Sequence, residues 1–337
     1  MSETVARTIA QDPHWLPHDI DWNTRTINFL KVPKKVYTEP GFLFEYAPPD
    51  PQHCLSATID SMQTLDVDAA PLHFIFHTAF CRSTLLVKAL NISGCTVGLA
   101  EPKIVAALAS GGTQAIPLIA PVMRLLSRKR FDARAVFVKP TNHANRIIPH
   151  LLEAVPQAHA ILMTNSLEPF LQSVRRRGLM GHRWGRNLYR EIQSYAHLDL
   201  GMSDEETFVM SDLQVAGLAW ILNQRYFHHL ASGRFASRIR ILDGDQFNRQ
   251  RMETVAAVLQ FCDVDCSNWD SPTGEVHAAF ATHAKLGGTF QQAEMDEPTG
   301  QEIAMVREWI EAIAAQIDLE VPLKQTLRIS GATTETK

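Results

Sequence analysis

Between residues 72 and 261 short apolar runs alternate with longer stretches of helical period, and this alternation restricts the chain to a β-sheet covered by helices. The runs are 72–76 (LHFIF), 95–100 (CTVGLA), 135–138 (AVFV), 158–163 (AHAILM) and 238–242 (RIRIL). The first four contain no Lys, Arg, Asp or Glu, as expected of strands with both sides in a protein interior. The fifth alternates arginine with apolar side chains before Asp243. Helical stretches are expected at 83–90, 104–109, 116–128, 142–154, 167–177, 212–230 and 252–261, with a last amphipathic one at 300–317. In 142–154 the residues Ile147, Ile148, Leu151 and Leu152 share a face, and in 212–230 Leu213, Ala216, Leu218, Ala219, Leu222 and Phe227 do. The expected class is α/β, a three-layer parallel sheet with helices on both faces. This pattern occupies residues 71–325. Residues 1–70 are rich in Pro, Asp and aromatics, with one strand-like piece at 25–32 whose Ile27, Phe29 and Leu30 face a core. They read as an N-terminal extension packed over the main domain, and 326–337 reads as a disordered tail.

Composition narrows the function. The 337 residues are 45% apolar and 20% charged, which suits a buried core rather than a disordered chain. With 32 Lys+Arg against 36 Asp+Glu the formal charge is −4, which argues against broad nucleic-acid binding. The uncharged stretch 104–123 is interrupted by Gly111, Gly112, Pro117 and Pro121, so no membrane span is expected, and residues 1–21 hold no apolar run of the secretory kind. A cytoplasmic location is the expectation. Five scattered cysteines (Cys54, Cys81, Cys95, Cys262, Cys266) suggest no disulfide framework, and Cys262 and Cys266 lack a second nearby pair for structural zinc.

Residues 72–90, LHFIFHTAFCRSTLLVKAL, read as a buried strand, a tight turn and a helix opening with Ser83 and Thr84. Such a turn aims backbone N–H groups and the positive end of a helix dipole at one spot, which favours a phosphate or sulfate. The loop has neither the glycines nor the lysine of GxxxxGK[ST]; Arg82 before Ser83 and Thr84 imitates that motif only loosely. The plainer alternative is an ordinary strand-to-helix turn with Ser83 as its cap.

Four further segments follow in a telling order. Phe80 to Leu86, FCRSTLL, resembles the RSGSTLL loop of bacterial PAPS-dependent sulfotransferases. GLAEP at 98–102 resembles that family's Glu-Pro segment. VFVKPTNH at 136–143, then a helix and PQAHAILM at 156–163, is similar to its KSPNH-helix-FPDARIV run. RIRILDGDQF at 238–247, with QFCDVD after the next helix, resembles its yEdL…Flgl segment, and HAKLGG at 283–288 its C-terminal basic-glycine loop. The likeness spans about residues 70–290.

The resemblance implies a P-loop NTPase-like fold of the sulfotransferase type, with helical insertions. The activity implied is metal-free transfer of a sulfuryl group from 3′-phosphoadenosine-5′-phosphosulfate (PAPS) to a small-molecule hydroxyl or amine. It implies that Ala79, Phe80, Cys81, Arg82, Ser83 and Thr84 hold the donor's 5′ end. His143 would be the general base, with His77 its rival, and Lys139 would neutralise a phosphate or orient the acceptor. Asn165 and Ser173 occupy the 3′-phosphate positions, although the family usually has Arg where Asn165 stands; Arg177, with Arg175 and Arg176, could take over that role. Lys285 would close on the nucleotide. The sequence also departs from the family in having Phe80 at a basic position and Arg82 at a glycine position. Glu101 would face the same crevice or simply precede a helix at Pro102. Six arginines between 175 and 190, with no acid among them, make a local positive strip. Trp184, Tyr189, Tyr195, Trp220 and Tyr226 are candidates for an acceptor pocket or for plain core. Two other readings stay open: a P-loop-type nucleotide-dependent kinase or hydrolase with Ser83 or Thr84 and Asp243 on magnesium, and a degenerate non-catalytic nucleotide-binding protein.

Overall fold

A computed structural model describes residues 2–63, 65–267, 269–271, 274–282 and 300–329. The N-terminal segment forms an antiparallel sheet of β1 (Trp15–Asp21), β2 (Thr26–Lys31) and β3 (Cys54–Thr58), in that order. The expected strand at 25–32 is β2; its partners escape a pattern search because β1 contains Pro17 and two aspartates and β3 is largely exposed. The main sheet consists of β4 (Leu72–His77), β5 (Thr96–Ala100), β6 (Ala135–Lys139), β7 (Ala160–Thr164) and β8 (Ile239–Asp243), in the order β5-β6-β4-β7-β8. Every neighbouring pair is parallel. The five apolar runs are these five strands, and the fold is the expected α/β class.

Both sheet faces are covered because each strand is apolar on both. Leu72, Phe74 and Phe76 of β4 join the larger core with helices Lys103–Ser110, Ile116–Leu126, Ile148–Ala154, Leu167–Arg176 and Asp212–Ser232. Ile75 joins a second core with helices Ser83–Ala89 and Arg251–Phe261. The connection leaving β4 therefore runs over one face, while those leaving β6 and β7 run over the other. That divergence opens a crevice at the carboxyl ends of the strands beside β4, where open α/β sheets hold ligands.

The stretch expected as one helix at 142–154 divides into a 3-10 turn, Asn142–Ile147, and an α-helix, Ile148–Ala154, because Pro149 has no N–H to continue a preceding turn. The N-terminal segment is anchored through buried cations. Arg130 is fully buried and donates to Pro13 O at 2.7 Å, Leu126 O at 2.8 Å and Leu125 O at 3.1 Å. Lys88 donates to Tyr37 O at 3.1 Å and Glu39 O at 2.6 Å. Trp22 lies so close to Gly111 that a Cβ there would come within 2.3 Å of the indole.

Contrary to the expectation from scattered cysteines, Cys95 and Cys266 are disulfide-bonded, with Cα atoms 5.6 Å apart across 171 residues of sequence. Their proximity is created by the packing of the 262–267 segment on the sheet, which spacing does not reveal. Residues 326–329, expected to begin a disordered tail, instead cover the open edge of β8: the N–H groups of Thr326 and Leu327 both donate to Ile241 O at 3.0 Å, and Leu327 and Ile329 are buried. Residues 330–337 lie outside the described residues. Among those described, no helix is long and apolar enough to cross a membrane.

Candidate active site

The loop between β4 and helix Ser83–Ala89 reaches a cradle shape without glycine. Ala79, Phe80 and Arg82 all take positive φ, 75°, 55° and 64°, a region that costs a non-glycine residue about 1–2 kcal/mol. Arg82 is the helix N-cap, so the cap is not Ser83, which is buried in the first turn with Thr84. A polar brace holds the strained backbone. Ala79 N–H donates to His77 Nδ1 at 3.1 Å, and Asn165 Nδ2 donates to Ala79 O at 3.4 Å. Thr78 Oγ1 donates to Asn165 Oδ1 at 3.2 Å, and Trp220 Nε1 donates to Asn165 O at 3.0 Å. The ring of Phe80 packs on Trp184 and Phe170, with centroids 5.0 and 5.8 Å away.

The brace decides which expected residues reach the crevice. His77 Nδ1 accepts from Ala79 while Nε2 donates to Pro140 O at 3.2 Å, so neither ring nitrogen is left to take a substrate proton. Asn165, 1% exposed, supports the loop from behind, and Ser173 Oγ donates to Pro169 O at 2.8 Å within its own helix; neither lines the crevice. Cys81 turns into the second core, where burial raises its thiol pKa. Arg82 does line the crevice, but its Nη1 donates to Asp245 Oδ1 at 2.8 Å. Lys285 lies outside the described residues.

What remains is a crevice of about 340 Å³ at the ends of β4, β5 and β6. Ser83, Thr84, Lys139, His143 and Arg177 line it, as do Glu101, Asn142, Trp184, Phe42 and Phe44. Lys139 is 1% exposed, its ammonium bonded to the Glu101 carboxylate and lying 5.4 Å from the centre of the Phe42 ring. Burial pulls the Lys139 pKa down and Glu101 opposes this. Glu101 holds φ 54° and its N–H donates to Lys139 O at 2.7 Å, so it belongs to the crevice wall rather than to a helix start. Arg177 stacks over Phe80, 4.5 Å from the ring centre. The side-chain nitrogen of Asn142, a residue only 8% exposed, has no hydrogen-bond partner among the described residues.

His143 stands at the start of the 3-10 turn after β6, half-exposed. Its Nδ1 is bonded to Glu191 Oε2 on helix Gly178–Gln193, and this bond raises the His143 pKa against the opposing effect of burial. With Nδ1–H directed at the carboxylate, Nε2 carries the lone pair. Three of the six arginines of the strip, Arg183, Arg186 and Arg190, lie on that same helix, and Arg186 is bound by Asp212 and by Met210 O at 2.6 Å. Of the five aromatics considered for an acceptor pocket, only Trp184 lines the crevice. Trp220 is 2% exposed, and Tyr226 donates to Asn145 O at 3.0 Å. Asp243 caps helix Gly244–Arg249, accepting from Asp245 N–H at 2.9 Å and Gln246 N–H at 2.6 Å, and does not line the crevice.

Glu191, Phe42 and Phe44 are not visible as site residues in the sequence, where no motif includes them; Asn142 lies inside the 136–143 motif, but nothing there marks it as a buried donor. Only the His143-to-Glu191 separation, across two helices, is open to a search for carboxylates able to orient a histidine.

No protein-family model matches the chain, and no curated protein does. Among solved structures, the sulfotransferase domain from the curacin biosynthetic pathway is similar over 76% of this chain and 100% of its own, at 12% identity and a TM-score of 0.41. A sulfotransferase from Alicyclobacillus acidocaldarius is similar over 75% of this chain and 98% of its own, at 16% identity and a TM-score of 0.41. Sulfotransferase STF1 from Mycobacterium tuberculosis H37Rv is similar over 75% of this chain and 79% of its own, at 12% identity and a TM-score of 0.41.

Proposed function

We propose that the chain is a cytoplasmic sulfotransferase that takes PAPS as donor and a small hydroxyl or amine compound as acceptor, with His143 as general base. The observation that carries this reading is the His143–Glu191 pair, opening on the crevice that the left-handed loop also lines. The residues fit an anionic donor in two ways. The crevice collects Lys139, Arg177 and the loop hydroxyls, and Asn142 contributes a buried donor with no partner of its own among the described residues. The usual 3′-phosphate positions do not fit, because Asn165 and Ser173 are consumed inside the fold; Arg177 is the basic residue left on that side.

The bound donor supplies the sulfuryl group, whose bond to the phosphate oxygen breaks as its bond to the acceptor forms. The protein's own part is to take a proton and to hold charge. His143 Nε2 receives the acceptor proton, and Glu191 keeps the ring in the tautomer that can do so and stabilises the imidazolium that results. Lys139, fixed by Glu101 and shielded by Phe42, places a cation beside the loop at no reorganisation cost during reaction. The kinase or hydrolase reading is less well supported, since Asp243 caps a helix through Oδ1 and does not line the crevice with Ser83 and Thr84.

Calorimetric titration with adenosine 3′,5′-bisphosphate, ATP and GTP tests the donor. Binding of the bisphosphate alone is the expected result; silence at millimolar concentration refutes it. His143→Ala should lower turnover roughly 10²–10⁴-fold while bisphosphate affinity stays within a few-fold. Retained turnover would remove His143 from the base role. Bisphosphate binding without turnover of any acceptor in the wild type would instead favour the degenerate nucleotide-binding protein.

A further inference from the structure

At the other end of the sheet, three side chains from separate segments meet. His73 is the second residue of β4, His159 immediately precedes β7, and Cys262 is the C-cap of helix Arg251–Phe261. One ligand-capable atom from each lies within 4.8 Å of the others. His73 and Cys262 are 3% and 4% exposed, and the imidazoles of His73 and His159 lie nearly parallel, 18° apart with centroids 5.6 Å from one another. The cluster is incomplete as a hydrogen-bonded unit. His73 Nδ1 accepts from His159 N–H at 3.2 Å. His73 Nε2 and His159 Nδ1 are both buried with no hydrogen-bond partner among the described residues. Buried polar atoms nearly always find partners, so two such nitrogens, on rings that meet at a thiol, point to a ligand that engages them.

We propose that His73, His159 and Cys262 form a zinc-binding site at the amino ends of β4 and β7. Two imidazole nitrogens and one thiolate are the mixed ligand set of a borderline-soft ion, and three protein ligands leave a fourth tetrahedral position for water. Water and the ion can enter beside His159, the one partly exposed member. On binding, the Cys262 thiol loses its proton to solvent as the S–Zn bond forms. Coordination through His73 Nε2 moves that ring's proton to Nδ1 and gives up the contact from His159 N–H. The bound ion would tie helix Arg251–Phe261 to two central strands, independently of the crevice and of what it transfers. Cys266, which the sequence pairs most naturally with Cys262, takes no part because it is bonded to Cys95.

The test uses the untagged full chain, kept free of reductant, and titrates it with Co²⁺ as an optical stand-in for zinc. The expected result is a near-ultraviolet thiolate-to-cobalt charge-transfer band that saturates at one equivalent, is bleached by Zn²⁺, survives Cys54→Ser and disappears in Cys262→Ser. If Cys262→Ser does not fold, His159→Gln, at the partly exposed position, carries the test by losing at least the roughly tenfold in Co²⁺ affinity that even an outer-shell change costs. No charge-transfer band in the wild type, or a band that persists in a folded Cys262→Ser protein, overturns the site.

Discussion

His73 and His77 stand four residues apart on β4, both almost fully buried, and their surroundings put them to opposite uses. At the carboxyl end, His77 spends both ring nitrogens on backbone groups, holding Pro140 and the strained Ala79 in place. At the amino end, His73 accepts a single hydrogen bond, and its other nitrogen is buried with no hydrogen-bond partner among the described residues. Burial of a histidine therefore does not identify its role; the count of satisfied nitrogens does. The sheet divides accordingly into a carboxyl end where a buried histidine braces the crevice loop and an amino end where one keeps an unengaged nitrogen.

The carboxyl end is most forcefully disturbed at the ion pair of the crevice wall. Glu101→Ala leaves the Lys139 ammonium buried without a counter-charge and should cost about 3–5 kcal/mol, whereas replacing both partners with Met and Leu should recover most of that. Urea unfolding of the single and double variants measures it, and equal losses in both would show that the pair is not coupled. Next in size, His77→Ala should cost about 1–3 kcal/mol by stranding the Ala79 N–H and Pro140 carbonyl. The matching His73→Leu change, made in metal-free protein, strands only the His159 N–H and at the same time removes an unsatisfied nitrogen, so it should cost less, about 1 kcal/mol. A reversal of that order would undo the contrast between the two ends.

A smaller effect separates the two histidines that line or flank the crevice. Glu191 raises the His143 pKa above its ordinary 6.5, so the neutral base accumulates only above that raised value. The kcat/KM profile should therefore rise with pH through a midpoint above 6.5, and Glu191→Gln should move the midpoint down. By the same sign, the folding stability contributed by the pair is present below 6.5 and is lost as pH rises through the raised value. An unmoved midpoint in Glu191→Gln would disconnect the pair from catalysis. The smallest change is expected from Ala79→Gly. Glycine ordinarily destabilises a chain, but at φ 75° it relieves strain, and the variant should be neutral or more stable by up to about 1 kcal/mol.

Much of the fold is legible in the amino-acid sequence. All five strands of the main sheet coincide with the apolar runs, because a strand buried on both faces excludes charge along most of its length. The loop after β4, with Ser83 and Thr84, is also within reach, since strand ends and helix starts are marked locally, whereas Lys139, His143 and Arg177 enter through the family resemblance. Asn165, Ser173 and His77 are not assignable in this way. Their positions in the chain suit a ligand contact, yet their polar atoms are engaged inside the fold, those of Asn165 and His77 by groups that only the folded chain brings near. Glu101 can be read equally as a helix-start charge, and the choice rests on whether a buried cation lies opposite.

Local signals fix the alternation of strand and helix, the absence of glycine from the loop, and the types of side chain set at the strand ends. Period, apolarity and backbone preference act over a few neighbouring residues, so the linear order of the chain is enough to specify them. That Ala79, Phe80 and Arg82 adopt the left-handed shape glycine would otherwise supply is a product of tertiary packing: Asn165, itself held by Trp220, donates to Ala79 O, Phe80 packs on Phe170 and Trp184, and Arg82 bonds Asp245. Packing likewise brings His143 to Glu191, Cys95 to Cys266, and His73 and His159 to Cys262. Such meetings depend on distances across the core, and a hydrogen bond, a disulfide or a coordination bond forms only where packing has already brought its partners within reach.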